Sequence, residues 1–233
     1  MKKIGILVFA AAFVIGLVVT NIFSSEIFGK PLIKFDLGFG SIKGSGHVVE
    51  EKRDVLNFNA IDVGGVFAVE SVYGDTTSVV VVADDNLLPL IETEVQGGTL
   101  SISSTRRLKS DQRLLIRVTS PAIERVETSG ASSVSLSNPS REKLEIDMSG
   151  ASKVTASGQT SALKADMSGA SKLFAFELEA SGAEIDGSGA SRAEVNAGRS
   201  LVSSLSGASR VVYAGSPSEI RSDVSGASAV SAR

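Results

Sequence analysis

The sequence predicts an all-β chain whose C-terminal part is a β-solenoid, or β-helix, of ~19-residue repeats preceded by a strand-rich N-terminal section. Three observations predict it. The tetrapeptide Ser-Gly-Ala-Ser occurs six times, starting at Ser129, Ser149, Ser168, Ser188, Ser206 and Ser225, at spacings of 20, 19, 20, 18 and 19. A fixed short period marks supersecondary units that bury their apolar faces only by stacking on one another. Apolar residues alternate with polar ones on both sides of each motif, which is the two-residue period of a strand with one buried face. Finally, 42% hydrophobic residues with 5% aromatics, no Trp and 23 Gly describe a core of small and β-branched side chains.

After each motif the inward positions read Val134 and Leu136, Val154 and Ala156, Leu173 and Ala175, Ala193 and Val195, Val211 and Tyr213. Before each motif a second run reads Leu144, Ile146, Met148, then Leu163, Ala165, Met167, then Ala183, Ile185, Gly187, then Leu201, Ser203, Leu205. Nineteen residues at roughly 3.3 Å each form a coil perimeter of about 63 Å, enough for two or three short strands around a narrow core. Helical repeats need about 33 residues, and Ser, Gly, Val and Thr are poor helix formers. The motif Gly suits a corner where positive φ or close coil-to-coil approach excludes a side chain.

Charges recur in register. Asp147, Asp166, Asp186 and Asp223 stand two residues before a motif, and Lys153, Lys172, Arg192 and Arg210 follow one directly. Stacking turns each set into a ladder. One reading is a pair of stripes that bind cations or anionic polymers; the other is mutual neutralisation across the Ser-Gly corner, which we take as the expectation. The nine-residue calcium β-roll pattern is absent, and no metal site is expected.

The chain divides into a targeting segment at 1–29, a Gly-rich spacer at 30–47, an N-terminal β section at 48–122 and solenoid repeats at 123–233. Lys2 and Lys3 precede an apolar run from Ile4 to Val19, and no charge follows until Glu26. This run lies between the length of a secretory signal and that of a membrane span. A cleaved signal peptide and an uncleaved anchor are equal readings, and both place residues 30–233 outside the cytoplasm, in the periplasm, at the cell surface or secreted. Contact with a membrane is expected only through this segment. Without cysteine, stability must come from stacking and ladder hydrogen bonds. A net charge of −3 and the lack of a basic patch with interleaved aromatics exclude a nucleic-acid partner.

In the N-terminal section, strands are expected at Val55–Val63, Val66–Tyr73, Ser78–Ala83, Ile91–Val95, Leu100–Ser103 and Leu114–Val118, separated by turn signals. Gly97-Gly98 reads as a hairpin turn, and Pro89 as the start of the strand after it. The runs RDVLNFNAIDVGGVFAVE (53–70) and VVVVADDNLLPLIETEVQGGTLSI (79–102), followed by tandem SGAS units, resemble the bacterial family described as putative auto-transporter adhesin, head GIN domain. The likeness covers about residues 46–233. It implies an exported all-β chain with a β-helix-like repeat region, often tethered at its N-terminus, and no enzymatic activity, so it transfers no catalytic residues.

Candidate sites are few. His47 is the single histidine and reads as exposed and inert. Asp84, Asp85 and Asn86 have the oxygen ligands a hard cation takes, but are also ordinary turn formers. Glu142 with Glu145, and Glu177 with Glu179, have the carboxylate pairing of glycoside chemistry, a spacing common by chance. No base accompanies the repeated serines, and no phosphate loop, dinucleotide fingerprint or zinc spacing occurs. No catalytic residue, cofactor or metal is expected.

The function expected is a non-enzymatic structural or adhesive module of the cell envelope, its partners an envelope glycan or protein. The competing classes are a β-helix enzyme acting on polysaccharide and an envelope sensor. An enzyme would need aromatic platforms beside clustered charges, and the repeats offer only Phe174, Phe176 and Tyr213. The final motif is followed by Ala229 to Arg233 alone. An open coil edge is a pairing surface, so self-association through the last coil, or a strand folding back on it, is expected.

Overall fold

The computed structural model describes residues 40–233, of which 41–233 form one compact unit. The proposed signal or anchor and most of the Gly-rich spacer lie outside the described residues. The rest is a β-solenoid of two sheets joined at the Ser-Gly-Ala-Ser corners. One sheet holds the strands that lead into each corner, the other those that leave it.

In the leading sheet, Arg125–Thr128, Lys143–Met148 and residues 162–167, 182–187, 200–205 and 219–224 stack in parallel. In the trailing sheet, Ser133–Ser137 is followed by the first halves of Lys153–Met167, Lys172–Gly187 and Arg192–Leu205, then Arg210–Ala214 and Ala229–Ala232. Between the sheets lie columns of like side chains, such as Val126, Ile146, Ala165 and Ile185 facing Val134, Val154, Leu173 and Ala193, each at most 2% exposed. The alternation read from sequence is therefore the burial pattern of both sheets.

The N-terminal section belongs to the same stack. Ala60–Val63 pairs in parallel with Arg125–Thr128, and Ala68–Tyr73 with Ser133–Ser137. This register sets Gly64-Gly65-Val66-Phe67 on Ser129-Gly130-Ala131-Ser132, so a further corner precedes the recognisable repeats. On the other side of that coil, Thr99–Ser104 pairs with Ala60–Val63, and Leu115–Ser120 with Ala68–Tyr73. The stacking order is thus 99–120, then 60–73, then 125–137; the chain builds an inner coil first, an outer one second, and crosses over to continue. Parallel ladders thus join strands from either side of residue 122.

Antiparallel strands close the N-terminal end of both sheets. Ile91–Gln96 pairs with Thr99–Ser104 through the expected hairpin, with φ of +57° at Gly97 and +79° at Gly98, as a type I′ turn requires. Ser78–Asp84 pairs with Leu115–Ser120, and Val48–Arg53 with Ser78–Asp84.

Two local readings are corrected. The single strand expected over 55–63 is replaced by Val48–Arg53 and Ala60–Val63. Residues between them turn along a corner, where the Asn59 carbonyl accepts from the Glu124 amide at 2.8 Å. Pro89 does not start a strand; it lies in a 3-10 turn, Leu88–Leu90, just before Ile91–Gln96. Its fixed φ and missing N–H suit that turn.

Candidate functional site

The corners create the one feature that runs through every repeat. The carbonyl of each corner Gly accepts from the Ala amide of the next coil, Gly150 from Ala170, Gly169 from Ala190 and Gly189 from Ala208, at 2.7 to 2.8 Å. The last motif serine is buried, as at Ser152, Ser171 and Ser209, while the first lies at the surface. Surface hydroxyls turn back onto the preceding coil: Ser149 donates to the Thr128 carbonyl at 3.4 Å and Ser168 to the Met148 carbonyl at 3.3 Å. They are ladder elements, their hydroxyls engaged by backbone carbonyls.

Just before these corners, an open groove of about 680 Å³ runs along the leading sheet. Its floor is an acidic column in which Asp62, Glu127, Asp147, Asp166 and Asp186 occupy successive rungs. Ser204 interrupts it before Asp223. Sequence reading missed Asp62 and Glu127. The signal was present: each stands two residues before a corner, Asp62 before the Gly64 corner and Glu127 before Ser129, but the first corner lacks the motif and the second acid is a Glu.

The cationic residues Lys153, Lys172, Arg192 and Arg210 also occupy successive rungs, on the trailing sheet. Neutralisation across the corner does not occur: among the described residues no ion pair joins the two columns. The ion pairs that do form lie within one sheet. Arg125 pairs with Glu127 at 2.9 Å and Asp147 at 3.2 Å, and Lys164 with Glu184 at 3.3 Å. Arg192 pairs with Glu194 at 2.8 Å, and the Lys153 ammonium lies 5.1 Å from the Phe174 ring centre. The physical reason is geometric, because residues two apart on a strand, or facing on adjacent rungs, are closer than residues on opposite sheets.

Stacked like charges leave a trace at the middle of the acidic column. Burial holds the Asp166 carboxyl above its ordinary value; Lys164 opposes this, and Asp186 and Asp147 on adjacent rungs add to it. A carboxyl with a raised folded value is destabilising when ionised, so its contribution improves as pH falls through that value. Asp166→Asn should therefore stabilise the protein at neutral pH, by up to about 1 kcal/mol for relief of like charges on facing rungs. The advantage should shrink as the pH falls, and should begin to do so before the ordinary carboxylate range is reached, because the wild-type Asp166 carboxyl takes up its proton above that range. Thermal melts of both proteins across this range test it; a variant less stable than wild type at neutral pH refutes it.

Among the described residues, no group of three His, Asp or Glu side chains is arranged to hold a metal ion. Millimolar calcium is expected to leave the melting temperature unchanged. A site occupied at 100 times its dissociation constant would add about 2.7 kcal/mol, so a rise of several degrees that disappears in Asp166→Asn/Asp186→Asn is the contrary result.

The other singled-out residues are dispersed. Asp84, 1% exposed, accepts from the Gly46 amide at 2.7 Å and from the Ser110 hydroxyl. Asp85 accepts from the Ser45 hydroxyl, and Asn86 donates to the Lys43 carbonyl at 2.9 Å. This turn fastens the 44–47 segment to the N-terminal end, with its oxygens occupied by protein donors. His47 Nδ1 lies 3.6 Å from Asp85 with its side chain 75% exposed, far along the chain from the repeat serines. Glu145 is on the rung between Arg125 and Lys164, and Glu142 borders a different groove with Tyr73 and Arg141. Gln159 donates to Glu179 at 3.1 Å, while Glu177 faces Ser157 on the neighbouring coil. Phe176 lies under the Arg233 guanidinium at 4.9 Å, and Tyr213 packs partly buried against the core. None of these pairs converges on the acidic groove.

A parallel β-solenoid whose faces carry regular charge columns and whose hydroxyls serve its ladders belongs to the class of β-helical repeat proteins. The family model described as putative auto-transporter adhesin, head GIN domain, matches residues 57–217, and the chain belongs to that family. Among solved structures it is similar to a putative adhesin from Bacteroides fragilis NCTC 9343, at 20% identity and a TM-score of 0.67, over 83% of this chain and 100% of that one. It is also similar to a putative lipid binding protein and a putative adhesin from Parabacteroides distasonis ATCC 8503, at 20% and 18% identity and TM-scores of 0.54 and 0.52, each over 83% of this chain and 100% of the other. These likenesses show a shared fold. No curated protein matches the chain.

Proposed function

We propose that the protein is a non-enzymatic adhesive module held outside the cytoplasm at the bacterial envelope, binding an envelope glycan or protein through the solenoid faces. The observation that carries this reading is the unbroken acidic column from Asp62 to Asp186 along an open groove. Rungs repeat at about 4.8 Å, so an extended polymer of hydroxyl or amine donors meets a carboxylate at every coil, and many weak contacts sum to useful avidity. The family match supports the adhesive part; Lys2, Lys3 and the apolar run from Ile4 to Val19 support export.

A glycan array and a panel of purified envelope fractions, probed with residues 41–233, test the reading. The expected result is retention of a defined class of glycan or envelope protein, weakened in Asp147→Asn/Asp166→Asn/Asp186→Asn without loss of thermal stability. Retention of nothing, or turnover of a glycan in place of binding, overturns it.

A further inference from the structure

The C-terminal coil offers an edge with its own internal symmetry. The strand Glu219–Val224 pairs on its inner side with residues 200–205, and among the described residues nothing pairs with its outer side. Ile220 and Val224 stand on the rungs of Leu201 and Leu205, which are 0% and 4% exposed, yet are themselves 46% and 40% exposed. Between them Ser222 lies on the same inward column, accepting from the buried Ser203 hydroxyl at 3.0 Å. Arg221 and Asp223 occupy the alternate, outward positions. In the single chain Arg221 pairs with Glu219 of its own strand at 2.7 Å.

We propose that this edge is a homotypic interface: a second copy of the chain adds its own Glu219–Val224 strand, antiparallel, across a two-fold axis through Ser222. Antiparallel partners share a face of the sheet, so a register must set inward residues on inward ones. Centred on Ser222, Ile220 of each copy faces Val224 of the other, Ser222 faces Ser222, and Arg221 faces Asp223. Core columns then continue through the junction, and the outward face gains two cross-strand ion pairs. Centred on Arg221, the strands would set Arg221 on Arg221 and Glu219 on Asp223, opposing like charges. Centring between residues would set the apolar positions on the charged ones. An interface in which one patch meets its own copy is the arrangement a two-fold dimer requires. The product joins the leading sheets of the two copies into one, with the two N-terminal antiparallel sections at opposite ends.

The chain has no cysteine, which gives a direct test in the full-length protein in detergent. In the proposed register the two Ser222 Cα atoms lie about 4.5–5.5 Å apart, within the range a disulfide spans. Ser222→Cys should give a disulfide-linked dimer under mild oxidation, whereas Ser204→Cys, on the exposed acidic column, should not. Adding Arg221→Asp should lower the Ser222→Cys dimer yield roughly tenfold by opposing like charges, and Asp223→Arg in addition should restore it. Melting of the reduced variants reports that each remains folded. Absence of the Ser222→Cys dimer in a folded protein overturns the proposal, as does a yield unchanged by Arg221→Asp or unrestored by the double reversal.

Discussion

Gly169→Val is expected to destabilise the protein more than any surface substitution in the repeats, by roughly 2–5 kcal/mol. Gly169 has φ +72°, a left-handed conformation that costs an ordinary L-residue about 1–2 kcal/mol, and a β-branched one more. A Cβ built there lies 2.5 Å from the Gly150 carbonyl oxygen and 3.1 Å from its nitrogen, and that oxygen is the acceptor for Ala170. Backbone has to move, and overpacking of this kind costs typically about 1–3 kcal/mol. The clash is one-sided. Each corner Gly meets the Gly of the preceding coil, as Gly189 meets Gly169 and Gly207 meets Gly189, so the strain falls on the N-terminal side of the substituted coil. Lys172→Ala on the cationic column should cost under about 0.5 kcal/mol. Denaturant melts compare the two; equal midpoints would remove the corner glycines from the account of stability.

Phe67→Ala should cost about 3–5 kcal/mol, the usual range for truncating a buried aromatic. Phe67 is 1% exposed and heads the largest fully buried side chains. By ladder register it takes the place that Ser132 holds in the next coil, and its carbonyl still accepts the Ser133 amide at 2.8 Å. The aromatic ring thus fills with apolar volume a corner that every later coil fills with a small hydroxyl. Phe67→Ser, which makes this corner resemble the others in sequence, should be as damaging as Phe67→Ala, because the cavity and not the motif sets the cost. Melts of both variants decide it: a Phe67→Ser protein as stable as wild type would mean that the first corner can collapse to the geometry of the rest.

Ladder residues explain which features were legible. Asp147, Asp166 and Asp186 are legible as one column because they share an offset from an identical motif, and parallel stacking converts equal offset into adjacency. Asp62 lies on the same column but was not read, since its corner is Gly64-Gly65-Val66-Phe67 and no tetrapeptide marks it. The cationic residues do form a column, but they do not pair with the acidic one. Sequence offset says that Asp166 and Lys172 flank one corner; it does not say that the corner separates them onto different sheets, where Asp166 meets Asp147 and Asp186 while Lys153 rests over Phe174.

What the sequence by itself determined was periodic. The six motifs, the alternation of Val134 with Leu136 or Leu144 with Ile146, and the glycine at each corner specify parallel coils with a two-sided core, because each is a local pattern repeated at one period. What only the tertiary structure decided was order and closure. Residues 99–120 stack outside 60–73, and 125–137 then continue from the inner coil. Antiparallel strands Val48–Arg53, Ser78–Asp84 and Ile91–Gln96 form the N-terminal end of the stack. No local pattern encodes these choices. Any strand of alternating Val and Ile can lie on any other, and which one does is settled by which arrangement buries Ile61, Phe67 and Leu100 together in one core.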